Sequence, residues 1–91
     1  MAHVLCDEVK PGLRSSEVIA VIKDHTGRKH FLRAEGDFLK EQGGRKYFPV
    51  AVVHTAPEGL VLVELPHEAE TGVNRLWVQG DKLLEPVEVP T

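Results

Sequence analysis

The sequence predicts an all-β protein: a small antiparallel barrel of five to six strands, with at most one short helical turn. Three observations carry this. Short runs rich in β-branched residues recur at VIAVI (18–22), YFPVAVV (47–53), LVLVEL (60–65) and VNRLWVQ (73–79). Turn chemistry separates them, at DHTG (24–27), GG (43–44) and APEG (56–59). Finally, the strands at 18–22, 50–53 and 60–63 are apolar throughout rather than alternating, so both of their faces need cover. In a chain of 91 residues, a strongly bent barrel supplies that cover, and so does a second copy laid against one side. An SH3-like barrel is the expected form and an OB-like barrel the second choice.

The elements follow in chain order. Residues 1–16 read as a partly irregular N-terminal segment, with HVLC as a short strand and Pro11-Gly12 as a turn signal. The barrel domain is expected over 17–84. Its first hairpin pairs 18–23 with 28–34, closed by Gly27 in a conformation of positive φ. In 35–44, Asp37 is placed to cap a single helical turn, but a hairpin of 38–42 with 45–49 about Gly43-Gly44 is preferred, because so short a helix gains little by itself. Pro49 has no N–H, which places it at an edge, a bulge or a corner of its strand. The strand at 60–65 returns antiparallel to 47–54, 66–72 is a polar loop, and 73–79 is the last clear strand. Gly80-Asp81 turns the chain, and the residues after it form a short helical turn or an edge pairing. Residues 85–91, with two prolines and alternating valines, read as an extended tail. No internal repeat is read from the sequence.

Composition bounds the function. A hydrophobic fraction of 42% and a charged fraction of 27% are those of an ordinary globular domain. The lone cysteine, Cys6, has no internal disulfide partner and suits a reducing compartment. No apolar run is long enough for a signal peptide or a membrane span, so a cytoplasmic protein without membrane contact is expected. Charge is unevenly placed. Residues 10–46 hold nine Lys/Arg against five Asp/Glu, a net +4, whereas residues 47–91 hold two against seven, a net −5. Such a split suits an anionic partner on one face, head-to-tail self-attraction, or strands that mix in space.

No catalytic constellation is read. No GxSxG elbow surrounds Ser15, Ser16, Thr26, Thr55 or Thr71, and nothing near Cys6 lowers a thiol pKa. The five histidines do not assemble a ligand set: HEAET at 67–71 lacks the second histidine of HExxH, and His54 and His67 lie at opposite ends of neighbouring strands. No metal, no cofactor and no nucleotide-binding glycine pattern is therefore expected.

Two kinds of partner remain. A protein partner, or a second copy in a homodimer, is the leading expectation for a non-enzymatic module, with contacts around Arg75, Leu76, Trp77 and Val78: whichever way Trp77 points, something apolar is left outside the barrel. The alternative is RNA or DNA held by two basic hairpins, through Lys23, Arg28, Lys29, His30 and Arg33 near Phe31, and through Lys40, Arg45 and Lys46 near Tyr47. If Phe31 points outward, Lys29, Phe31 and Arg33 make a row on one face; if inward, the outer face offers only Arg28 and His30. The bland account of the same charges is a solvated edge that deters strand-to-strand association.

Overall fold

A computed structural model describes residues 2–85. Eight strands run in order: β1 (Ala2–Leu5), β2 (Glu8–Pro11), β3 (Glu17–Lys23), β4 (Lys29–Glu35), β5 (Lys40–Gln42), β6 (Arg45–Thr55), β7 (Leu60–Glu64) and β8 (Arg75–Gln79). All pairings are antiparallel. One sheet has the order β1-β6-β7-β8 with β5 also on β6, and the other has the order β2-β3-β4. The all-β class therefore holds. The barrel does not: the two sheets close into no ring among the described residues, and the molecule measures 45 × 29 × 19 Å. The cover that 18–22, 50–53 and 60–63 require comes from a shared core between sheets and from partial exposure on the outside.

The remaining local differences have simple causes. In residues 35–44 the preferred hairpin forms, as β5–β6 about Gly43 and Gly44 with φ of 61° and 78°; the helical turn capped by Asp37 does not, and a 3-10 turn without a side-chain cap lies earlier, at Gly36–Phe38. Two adjacent residues at positive φ are what a tight hairpin of matching twist demands. A second 3-10 turn at Gly80–Lys82 makes two such turns rather than one. The N-terminal segment is mostly strand, since β1 pairs with β6 and β2 with β3. Pro49 sits where β6 changes partners, between the β5 ladder ending at Tyr47 and the β7 ladder beginning at Ala51. The tail expected at 85–91 lies outside the described residues except for Glu85.

An internal repeat, not read from the sequence, organises the fold. LRAEGDFLKE (32–41) and LWVQGDKLLE (76–85) share Leu, Gly, Asp, Leu and Glu at matching positions, each pair offset by 44. Both stretches are the end of a strand, a 3-10 turn and a short extended piece. The hydrogen bonds repeat as well. Gly36 N–H donates to Ser16 O at 2.8 Å and Gly80 N–H to Gly59 O at 2.8 Å; Leu39 N–H donates to Gly36 O and Leu83 N–H to Gly80 O. After the first turn β5 pairs with β6, and after the second Leu83 bridges Val4 of β1. Each half thus lends its last piece of chain to the first strand of the other.

The interlock is reciprocal at the sheet edges too. His25 N–H, in the β3–β4 turn, donates to Trp77 O of β8, and Glu70 N–H, in the β7–β8 loop, donates to Phe31 O of β4. The core runs between the halves: Val4, Ala20, Ile22, Leu32, Phe48, Val50, Val61, Val63, Leu76 and Val78 pack as one cluster. Neither half could bury these residues alone, so cooperative folding of the whole is expected.

Candidate functional site

The strand registers fix which residues share a face. On β4, His30 and Leu32 point inward and are buried, while Lys29, Phe31 and Arg33 point outward. Phe31 is opposite Val21, which is opposite Glu8; Arg33 is opposite Ile19, which is opposite Lys10; and Lys29 is opposite Lys23. The Lys10 ammonium lies 5.4 Å from the Phe31 ring centre, so the outer face of the β2-β3-β4 sheet gathers cations around one aromatic ring. Lys23 reaches Asp7 at 3.5 Å and Lys10 reaches Glu8 at 3.9 Å. Among the described residues, Lys29 and Arg33 are in no ion pair, and Arg28 lies in the exposed turn.

The second basic group is separate. Arg45, Lys46 and Lys82 line a cleft of about 570 Å³ together with Asp7 and Glu8. Lys46 is paired to Glu41 at 3.7 Å, and Tyr47 is half-buried opposite Lys40. The acids of the β1–β2 bend therefore stand between the two basic groups, and they do not merge into one positive surface.

His30 is no surface residue. Only 2% exposed, its Nε2 is 2.9 Å from Asp24 Oδ2 and its Nδ1 is 2.8 Å from Thr71 Oγ1. Because an ionised carboxylate only accepts, Nε2 carries a proton, and Nδ1 shares its hydrogen bond with the threonine hydroxyl. Asp24 also accepts from Thr26 N–H, Thr26 Oγ1 and Arg28 N–H. Burial alone would raise this carboxyl, but these bonds, from the Thr26 hydroxyl and His30 foremost, outweigh it and hold Asp24 well below the ordinary carboxylate range. This hydroxyl–imidazole–carboxylate chain has the composition of a hydrolytic triad, but with its ring sealed in the core it ties the β3–β4 turn to the β7–β8 loop. Cys6 is mostly buried in the wall of the Arg45–Lys46–Lys82 cleft, and burial pushes its thiol up to about 12 despite the nearby Lys46 cation, leaving it protonated at neutral pH.

The protein-contact candidates divide. Leu76 and Val78 are core residues at 3% and 0% exposure. Trp77 and Arg75 face outward, Arg75 Nε donating to Glu64 Oε1 at 3.0 Å. Beside Trp77 the register sets Leu62 and then His54, whose ring meets the indole edge-on at 6.1 Å. His54, Leu62 and Trp77 are the counterparts, in the second half, of Lys10, Ile19 and Arg33 in the first.

Sequence reasoning missed the adjoining strand edge. Ala51, Val52, Val53 and His54 are all exposed, and a β-bulge between Val52 and His54 leaves Val53 unpaired with β7. Away from β7, residues 51–55 meet no other strand among the described residues. The other outer edges differ. Those of β4 and β8 receive donors from the opposing loops, and β2 carries Glu8, Lys10 and Pro11, which deter pairing. The signal for the β6 edge was the uncharged VAVVHT run itself. Among the described residues no three His, Cys, Asp or Glu side chains gather as a metal site would require, and no helix is long and apolar enough to cross a membrane.

No family model matches the chain, and neither a curated protein nor a solved structure is detectably similar to it.

Proposed function

We propose that this protein is a non-enzymatic interaction module that acts through protein contacts, and that the contact is the β6 edge at Ala51–Thr55 pairing with the same edge of a second copy. The carrying observation is that edge: four consecutive exposed residues, apolar or aromatic, on the stretch of β6 beyond β1 that meets no other strand on that side among the described residues. An extended segment adds to such an edge through main-chain hydrogen bonds. A second copy suits it because antiparallel self-pairing centred on Val53 sets Val52 against His54 and Ala51 against Thr55, with no Asp, Glu, Lys or Arg in the run to oppose its mate. The result runs β8-β7-β6 of one copy into β6-β7-β8 of the other, six strands across the seam, with His54, Leu62 and Trp77 of each protomer flanking it.

Two finer readings belong to the same proposal. In each half a bent strand, a hairpin, a 3-10 turn and a short extended piece follow one another in the order of an SH3-like unit, with the last piece exchanged between halves. A reducing, cytoplasmic setting agrees with Cys6 as a buried free thiol.

Sedimentation velocity across the micromolar range tests the reading. A concentration-dependent dimer is expected, and Val53→Lys, which places a charge on the exposed bulge, is expected to give a monomer with unchanged circular dichroism. A wild-type protein that stays monomeric throughout, or a Val53→Lys variant that dimerises equally well, overturns it.

A further inference from the structure

The internal repeat allows the two halves to serve as controls for one another. Their outer faces occupy equivalent places in the fold, yet they carry different chemistry. In the first half Lys10, Ile19 and Arg33 form one row, and in the second half the same row is His54, Leu62 and Trp77. Lys23 and Lys29 stand where the second half has Pro66 and Val73, which lie before and after the loop that follows β7. The fold is therefore built equally well with no cation at any of these four positions. What places Lys10, Lys23, Lys29 and Arg33 around Phe31 is not a demand of the architecture.

Their arrangement is also costly in isolation. Lys23 and Lys29 are directly opposed across the β3–β4 ladder, a like-charge pairing that destabilises a sheet. The same ladder contains a like-charge pair of acids, Glu17 opposite Glu35, and there Arg14 bridges the two at 3.8 Å from each. No anion of the described residues joins Lys23 to Lys29 in that way. Lys29 and Arg33 stand two residues to either side of Phe31, at roughly 7 Å along the strand by the rise of extended backbone. Phe31 itself is half-buried, its underside on Val21 and the Lys10 ammonium over its ring at 5.4 Å.

We propose that this face binds single-stranded nucleic acid, with an unpaired base stacked on Phe31 and the flanking phosphates neutralised by Lys29, Arg33, Lys23 and Lys10. The stacked base takes the place of the Lys10 ammonium over the ring, and that ammonium turns to a flanking phosphate. A single strand fits the chemistry because its bases are free to stack on an aromatic side chain while its backbone runs along the cations. A base pair inside a duplex presents no such face. This site lies on the first half and stands independently of the β6 edge on the second. Together they give the second half a protein contact and the first half a polyanion contact.

The test is fluorescence anisotropy with labelled oligo(U) and oligo(dT) at low salt, using the full chain. Binding of one or both is expected, weakening with salt; the two probes show whether RNA or DNA is preferred. Phe31→Leu keeps an apolar cover over Val21 and removes the aromatic face, and Phe31→Ala removes both. Each is expected to weaken binding about tenfold, the size of one lost base stack. Changing Lys29 and Arg33 together to Ala is expected to lower the salt slope by about 1.4, at 0.7 for each phosphate contact on a single strand. Changing Arg45 and Lys82 to Ala, in the separate cleft, is expected to leave affinity within twofold. No binding at low salt overturns the proposal. So does undiminished binding by both Phe31 variants, or displacement of the oligonucleotides by polyglutamate or duplex DNA as readily as by unlabelled single strands.

Discussion

Replacing Asp24 by Ala removes the acceptor on which the interlock between the halves depends, and the cost follows from its geometry. Four donors converge on this carboxylate: Thr26 N–H at 2.9 Å, Thr26 Oγ1 at 2.6 Å, Arg28 N–H at 3.1 Å and His30 Nε2 at 2.9 Å. The first three lie in an exposed turn and regain water, so their loss costs about 1 kcal/mol in all. His30 is different. At 2% exposure its Nε2–H has no access to solvent, and a buried donor left without a partner costs about 1–3 kcal/mol. The sum, about 2–4 kcal/mol, corresponds to a fall in Tm of roughly 10–25 °C for a domain of this size.

Urea denaturation followed by Trp77 fluorescence and by circular dichroism measures this directly, and pH gives a second signature. The folded-state pKa of Asp24 lies below its unfolded value, so its contribution is fully present above the ordinary carboxylate pKa of about 3.9 and is lost as pH falls from there through the lower folded-state value. Wild-type stability should therefore drop steeply below about pH 4, and the Asp24→Ala variant should drop less, because that carboxylate is already gone. A variant that loses less than about 0.5 kcal/mol at pH 7, or one whose acid profile parallels the wild type, refutes the reasoning.

Three further outcomes are expected. Gly80→Ala sets a Cβ at 3.0 Å from Gly59 O, a backbone atom that cannot swing aside, and should cost about 1–2 kcal/mol; Gly36→Ala meets Ser16 O at 3.5 Å and should stay within about 0.5 kcal/mol of wild type, a contrast that paired denaturation curves resolve. Phe48→Ala empties the largest fully buried position of the shared core and should cost about 3–5 kcal/mol, losing both sheets in one transition; two separate transitions would contradict the interlocked arrangement. Cys6 should resist a thiol reagent in the native protein at neutral pH and react on addition of denaturant, as measured by thiol titration.

The elements that proved legible in the sequence were those whose signals are local. The β3–β4 hairpin was readable because Gly27 and a β-branched run specify both turn and strand, and Gly43-Gly44 did the same for β5–β6. β2 escaped notice because EVKP looks like a loop until a neighbour pairs with it. The orientation of Phe31 and Trp77 was undecidable from alternation, since β3 and β7 are apolar on both faces and either phase of their partners would bury something. His30 looked like part of a basic coat because Arg28 and Lys29 precede it; its partner Thr71 lies 41 positions away. The repeat was hidden for the same reason that makes it informative. The matching residues are those of the turn and the core, whereas the outer faces and the β3–β4 and β7–β8 connections have diverged. The closed barrel failed because the first part of each half's bent strand pairs across to the other half, β1 with the start of β6, while only the second part, β2 or the end of β6, stays with its own sheet.

Amide hydrogen exchange across residues 51–55, followed as protein concentration is raised through the micromolar range, bears most directly on the central claim. The account predicts that amides of this strand which face away from β7 exchange freely when dilute and become protected as the second copy arrives, while the core amides of β3 stay unchanged. Equal exchange at every concentration would contradict it.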